Sequence, residues 1–377
     1  MMRNFDAAQA RTSQLSHMWF QRIKRAGTAA GLCLAIAAIA GLSLWSAAHA
    51  EEEAGPITVG PVELTQVHHN QNLLPDRGHS GFGALLYDAD GRLVMNGDRT
   101  WLYTTGLFEA PEPGMRDWYG KWVSHVRDFN PRTLVSGEPK LALGLDGEDQ
   151  WAVIHTAIKV SDDLYVVFYS TNGLVRAATS PRPDGVFRPD PDFSLAVTED
   201  WEIGGSERAS LESTGGFRTI SDTDEVLEIA LLYDSYQVDQ TSGDLGWANV
   251  SIDKATGDVE LIDKDPEGPL PLRPEGYIGA RAGGNLGSDV MLGDKHVMFY
   301  YLRPNKEVIT LTAALSEDPS FREVDEIVEF GPVQGDEEVI EKFQSYMMDD
   351  LLHIIYENKL ASGHWGTAIR IYEVDAP

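Results

Sequence analysis

Acidic side chains gather at three places in this chain, beside groups suited to acid–base chemistry. Leu74-Pro-Asp76-Arg-Gly-His79 sets a carboxylate three residues from a histidine. Asp146-Gly-Glu148-Asp149-Gln-Trp151 is an acidic turn closed by a tryptophan, and Gly205-Ser-Glu207-Arg-Ala-Ser-Leu-Glu212-Ser carries two glutamates among small and hydroxylated residues. Carboxyls in pairs can divide general acid from general base work when their surroundings hold one protonated and the other ionised. A fourth segment, Gly279-Ala-Arg281-Ala-Gly-Gly-Asn285-Leu-Gly-Ser-Asp289, offers a guanidinium and an amide for forked hydrogen bonds, on glycines that let the backbone approach closely. Each has a plainer counterpart: a solvated turn at Asp149, a surface pair of Glu212 with Arg208 or Arg218, and a tight turn at 279–289.

His79 and His155 precede or open strand patterns, and one of them on a central axis could hold a calcium ion or a water. No tight metal spacing is present, since His68 and His69 are neighbours and face opposite ways on a strand, so no cofactor is required. Trp118 and Trp151 could stack on apolar ring faces, whereas Trp101 lies within a strand pattern and reads as core. There is no G-x-S-x-G, P-loop, dinucleotide fingerprint or H-E-x-x-H, and the only cysteine is Cys33.

The elements that must position these groups are strands. Runs of five to eight Val, Ile, Leu, Tyr and Phe residues are cut by Asp-Gly, Gly-Asp, Asn-Gly and Pro turns. No amphipathic helix of three turns stands out, and Glu337 to Met347 is the best short helical candidate. Two segments repeat one another: Tyr165-Val-Val-Phe-Tyr-Ser, Arg176-Ala-Ala-Thr-Ser and Asp184-Gly-Val-Phe return as Val297-Met-Phe-Tyr-Tyr, Thr312-Ala-Ala-Leu-Ser and Asp318-Pro-Ser-Phe. Such recurrence marks a repeat architecture. Five strand clusters, at 82–103, 151–187, 210–262, 289–324 and 343–374, make an all-β protein and predict a five-bladed β-propeller with four-stranded blades. A two-sheet sandwich would leave the recurring tyrosines and Ala-x-Ser triplets unexplained. Segments 109–140 and 265–274 read as long loops over one face.

At Leu164-Tyr-Val-Val-Phe-Tyr-Ser, Ala177-Ala-Thr-Ser and Asp184-Gly-Val-Phe the chain resembles the five-bladed propeller glycosidases of the glycoside hydrolase family 43 type and its relatives on fructans, arabinans and mannosides. Their blades read Tyr-Tyr-x-Phe-Tyr-Ser, Ala-x-Ser and Gly-Pro-Phe. The resemblance implies hydrolysis of a glycosidic bond in a central funnel, with inversion as the usual outcome. It assigns a base to Asp76, a pKa-adjusting carboxylate to Asp149 and the acid to Glu212. His79, Trp118, Trp151, His155, Glu207, Arg281, Asn285 and Asp289 become candidates for holding an oligo- or polysaccharide. The order of residues around Asp76 departs from the family pattern, which favours the alternative of a non-catalytic propeller binding a glycan or an envelope partner. A third possibility is another chemistry built on axial histidines and a metal.

The ends and the composition bound the setting. Arg22, Lys24 and Arg25 precede an apolar run from Ala26 to Trp45 and the A-x-A site Ala48-His49-Ala50, so residues 1–50 read as a cleaved signal peptide and 51–377 as a single domain. An uncleaved anchor is the alternative, and a lipoprotein is disfavoured because Leu32 precedes Cys33. Export predicts a periplasmic or secreted protein with no membrane insertion after cleavage. Beyond residue 50 the chain has 25 basic and 58 acidic residues, a formal charge near −33. Nucleic acid and anionic lipid would repel it.

Overall fold

In the computed structural model, residues 55–375 are described apart from 61, 75–80, 108–120, 146–148, 150, 207, 238–242, 285–289, 306–307 and 333–336. Two N-terminal strands, β1 (Ile57–Val59) and β2 (Val62–Asn70), lead into five antiparallel groups. The first holds β3 (Gly81–Asp88), β4 (Thr100–Leu107) and β5 (Trp122–Asn130), with β6 (Val135–Ser136) and β7 (Lys140–Leu143) both pairing β5. The second is β8 (Val153–Lys159), β9 (Tyr165–Thr171), β10 (Leu174–Ser180) and β11 (Arg188–Pro189). One turn of helix, α1 (Asp200–Ile203), precedes the third group: β12 (Ala209–Asp222), β13 (Val226–Gln237), β14 (Leu245–Asp253) and β15 (Val259–Lys264). The fourth is β16 (Gly279–Gly284), β18 (Lys295–Arg303), β19 (Thr310–Ser316) and β20 (Glu326–Pro332), with β17 (Met291–Leu292) beside β18. In the fifth, β21 (Glu337–Met348), β22 (Leu351–Leu360) and β23 (Trp365–Asp375) are completed by β2.

The first strands of the groups touch in a closed cycle, β3 to β8 to β12 to β16 to β21 and back to β3. That cycle is the inner wall of a β-propeller, and the groups are its blades. Blades one and two are joined by a parallel pairing of β3 and β8, Leu86 to Ala157 through Asp88 to Lys159. The ring is closed by pairing the N-terminal β2 with the C-terminal β23, from Glu63 opposite Asp375 to Asn70 opposite Ile369.

The two repeated segments are the middle strands of blades two and four. Phe168 pairs with Ala177 and Phe299 with Ala313, so a large ring lies beside a small side chain in both blades. The closing phenylalanines, Phe187 and Phe321, are buried. Apolar side chains from neighbouring blades then fill the space between sheets: Leu85, Phe168, Leu211 and Ile355 share one cluster, and Val297, Phe343 and Tyr372 another.

Three boundaries differ from those the sequence suggests, and the closure of the ring goes unsignalled. The helical candidate at 337–347 is β21. Its paired register slips between Glu337 and Val339 and again between Glu341 and Gln344, which breaks strict alternation and leaves Ile340, Phe343 and Gln344 buried at helix-like spacing. The supposed loop 109–140 contains β5 and β6, although 108–120 lie outside the described residues. Blade four begins ten residues earlier than residue 289, because the glycine-rich 279–284 is a strand and not a turn. The ring-closing role of β2 has no local cue, since its partner lies some 300 residues away.

Candidate functional site

Every innermost strand carries the same irregularity. Against its neighbour in the blade, each slips by one residue: at Gly83 on β3, His155 on β8, between Leu211 and Thr214 on β12, between Arg281 and Gly284 on β16, and between Glu341 and Gln344 on β21. A bulge puts two residues opposite one and turns a side chain out of the alternating pattern. Repeated around the ring, it delivers His155, Glu212 and Lys342, with Arg281 at the last paired position before its strand's slip, to one cavity of about 200 Å³, with Trp151, Ser170, Asp234 and Glu341 also on its wall. Lys342 takes a left-handed backbone, φ 56°, a conformation that costs a non-glycine residue energy and is held by its surroundings.

Arg281 organises one side. Its Nη2 lies 3.2 Å from Glu212 Oε2 and 3.1 Å from Asp234 Oδ2, and its guanidinium carbon stands 3.9 Å from the centre of the Tyr236 ring. Asp234 is buried while the Glu212 side chain keeps 42% of its surface open to the cavity. Ser210 Oγ also donates to Glu212 Oε1 at 3.2 Å. Burial raises Glu212 above the ordinary carboxylate range, Asp234 and Glu341 add to the rise, and Arg281 opposes it.

The other side is built on blade five. Lys342 Nζ donates to Glu357 Oε2, and Glu357 pairs in register with Glu341. Burial pushes Glu357 up to about 7, with Lys342 opposing and Glu341 reinforcing the shift. A Cβ at Gly81 would lie 2.5 Å from Glu357 Oε1, so glycine there gives that carboxyl its room against blade one. His155 Nε2 bonds Ser170 Oγ at 2.8 Å, and burial, aided by Lys342, keeps the imidazole well below its usual pKa and therefore neutral. Gln344 ties three blades together: its side chain accepts from Leu85 N at 2.6 Å and donates to His155 O at 3.1 Å.

Of the residues singled out from sequence, Trp151, His155, Glu212 and Arg281 meet at the cavity. Asp149 is buried, its carbonyl accepting from Lys121 Nζ at 3.2 Å, and it is not on the cavity wall. Asp76, His79, Trp118, Glu207, Asn285 and Asp289 lie outside the described residues. Sequence reasoning missed Ser170, Asp234, Glu341, Lys342 and Glu357. Asp234 had a visible signal, a carboxylate interrupting the apolar run Leu231-Leu-Tyr-Asp-Ser-Tyr.

No protein-family model matches the chain, and no curated protein matches it. Solved structures do. It matches a complex of BT0996 and RGII with a TM-score of 0.50 at 12% identity, over 80% of this chain and 92% of that one. It matches a structure described as "Glycoside hydrolase" with a TM-score of 0.50 at 12% identity, over 86% of this chain and 92% of that one. The chain has a glycosidase-type propeller fold. In this propeller the axial cavity is walled by four blades, and it combines a partly open carboxyl of raised pKa with two protein cations. Those cations, Arg281 and Lys342, make its wall a poor setting for calcium, which seeks six to eight oxygen ligands, and among the described residues no group of three or more His, Cys, Asp or Glu is arranged to hold a metal.

Proposed function

We propose that this protein hydrolyses a glycosidic bond of an oligo- or polysaccharide at the axial cavity, with Glu212 as the acid. Acetal cleavage needs one carboxyl to protonate the leaving oxygen and a second to activate water or attack the anomeric carbon. Glu212 suits the first role, because its bulge turns it toward the cavity and burial favours its protonated form. That single combination carries the proposal. When the proton has left, Arg281 at 3.2 Å stabilises the carboxylate that remains. Asp76 is retained as the base, the role that the resemblance implies, while the adjusting role that the resemblance gives to Asp149 falls at this cavity to Asp234 and Glu341, the carboxylates that raise Glu212. Inversion would then place the two working carboxyls about 6.5–9.5 Å apart. Trp151 supplies a face for ring stacking beside the acid. The basic, apolar and A-x-A features of residues 1–50 support export, with action in the periplasm or outside the cell.

The test is Glu212→Gln, which keeps the shape and the Arg281 contact but has no proton to donate. Turnover of a hydrolysed glycan should drop by about 10²–10⁴-fold, with KM and melting temperature nearly unchanged. Full activity in that variant would remove Glu212 from the reaction.

A further inference from the structure

A second cavity, about 560 Å³, lies on the flank of blades one and two. Its size is that of a small-molecule site, about 300–1,000 Å³. It is distinct from the axial cavity: Tyr165 borders this cleft and Ser170 the other, five residues apart on β9 or about 17 Å along the strand.

Four cations, Arg99, Arg127, Lys140 and Arg182, line it with three carboxylates, Asp128, Glu138 and Asp184, a local excess of one positive charge in a chain with 59 acidic and only 30 basic residues. Arg99 is paired with Asp128. Lys140 and Arg182 share one carboxylate, Asp184, at 3.5 and 3.9 Å, and their side chains are 68% and 70% exposed. Exposed pairs at such distances contribute little, so both cations stay available to an incoming anion. Arg127 is buried, and its guanidinium donates to Gly137 O at 3.3 Å. Trp101 is partly exposed and borders the cleft while packing against the core of blades one and two, in line with its reading as core.

A partly exposed aromatic side chain on the wall and two accessible cations, Lys140 and Arg182, together suit a charged sugar. We propose that this cleft binds an anionic oligosaccharide, carrying carboxylate or sulfate, with a ring against Trp101 and its anion on Lys140 and Arg182. The site would hold an acidic glycan apart from the place of reaction, and it does not depend on the assignment of Glu212.

The experiment is calorimetric titration of the full chain bearing Glu212→Gln, so that turnover cannot intervene. The probes are trigalacturonate, a sulfated trisaccharide and neutral maltotriose. At least one charged probe should bind, more weakly as salt rises. Its affinity should fall roughly tenfold in Lys140→Gln/Arg182→Gln at unchanged melting temperature, and whichever charged probe binds identifies the anion. The proposal is overturned if neither charged probe binds, if maltotriose binds as tightly, or if the double variant binds them unchanged.

Discussion

Glu357 on the second strand of blade five and His155 on the innermost strand of blade two pull the protein's pH dependence in opposite directions. Burial raises Glu357 from the ordinary 4.5 to about 7, so between those values the folded chain keeps a proton that the unfolded chain releases. Its contribution is fully present below pH 4.5 and is lost as pH rises through 7, by up to about 1.4 kcal/mol per pH unit. His155 is depressed below 6.5 by burial. As pH falls below 6.5 the unfolded chain takes up a proton that the folded chain refuses, and stability drops. The two slopes partly cancel between pH 4.5 and 6.5. Glu357→Gln removes the first and leaves the second, so urea unfolding at pH 5, 6 and 7 should show its stability rising more steeply with pH than that of the parent. Equal slopes would mean that Glu357 carries no such proton. At this scale the sequence disclosed residues whose type is out of place at a strand entry, such as Glu212, His155 and Arg281. It concealed Glu357, because that residue follows the apolar Leu351-Leu-His-Ile-Ile-Tyr on a second strand, and nothing local says that Lys342 will reach it.

A strand with a bulge is the element that makes the site, and it is also the element hardest to see in a sequence. The apolar pattern, a continuous run repeated in two blades, identified β9 and β19, which pair β10 and β18 without a slip. It failed at β21, where a left-handed Lys342 puts the buried positions at helical spacing. It also failed at β16, whose glycines resemble a turn. The bulge positions differ in chemistry, being histidine, glutamate or lysine on three blades, while on blade one the position is Gly83. There the reason is steric: a Cβ would lie 2.5 Å from Ile154 O and 3.1 Å from Tyr103 O. Both are backbone atoms of neighbouring strands, and neither can move aside without disturbing the β3–β8 junction. Gly83→Ala should therefore cost about 1–3 kcal/mol, the usual range for overpacking, read as a lower denaturant midpoint. A stability equal to the parent's would show that the junction between blades one and two yields easily.

For the whole molecule the question is what keeps a ring of blades shut. Blade five takes its fourth strand, β2, from the other end of the chain, with β1 beside it, and a buried cluster spans the four strands β2, β21, β22 and β23. Glu337 on β21 accepts from Tyr356 and Asn358 on β22 at 2.8 and 3.1 Å and from Arg370 on β23 at 3.2 Å. His69 on β2 bonds Tyr356 at 3.2 Å and lies 3.6 Å from Glu337. Both side chains of the Glu337–Arg370 pair are fully buried. Desolvating both charges offsets much of their attraction, so the pair itself adds little net stability, but stripping one partner leaves a buried charge uncompensated. Arg370→Met should thus lose about 3–5 kcal/mol, and Glu337→Gln/Arg370→Met should recover most of it. Because His69 is the only one of these five residues on the N-terminal strand, the damage should appear first as faster amide hydrogen exchange along Val62–Asn70, ahead of the other blades. Exchange that accelerates equally in all five blades would mean that the ring opens as one unit, and that the cluster stabilises the propeller without serving as its latch.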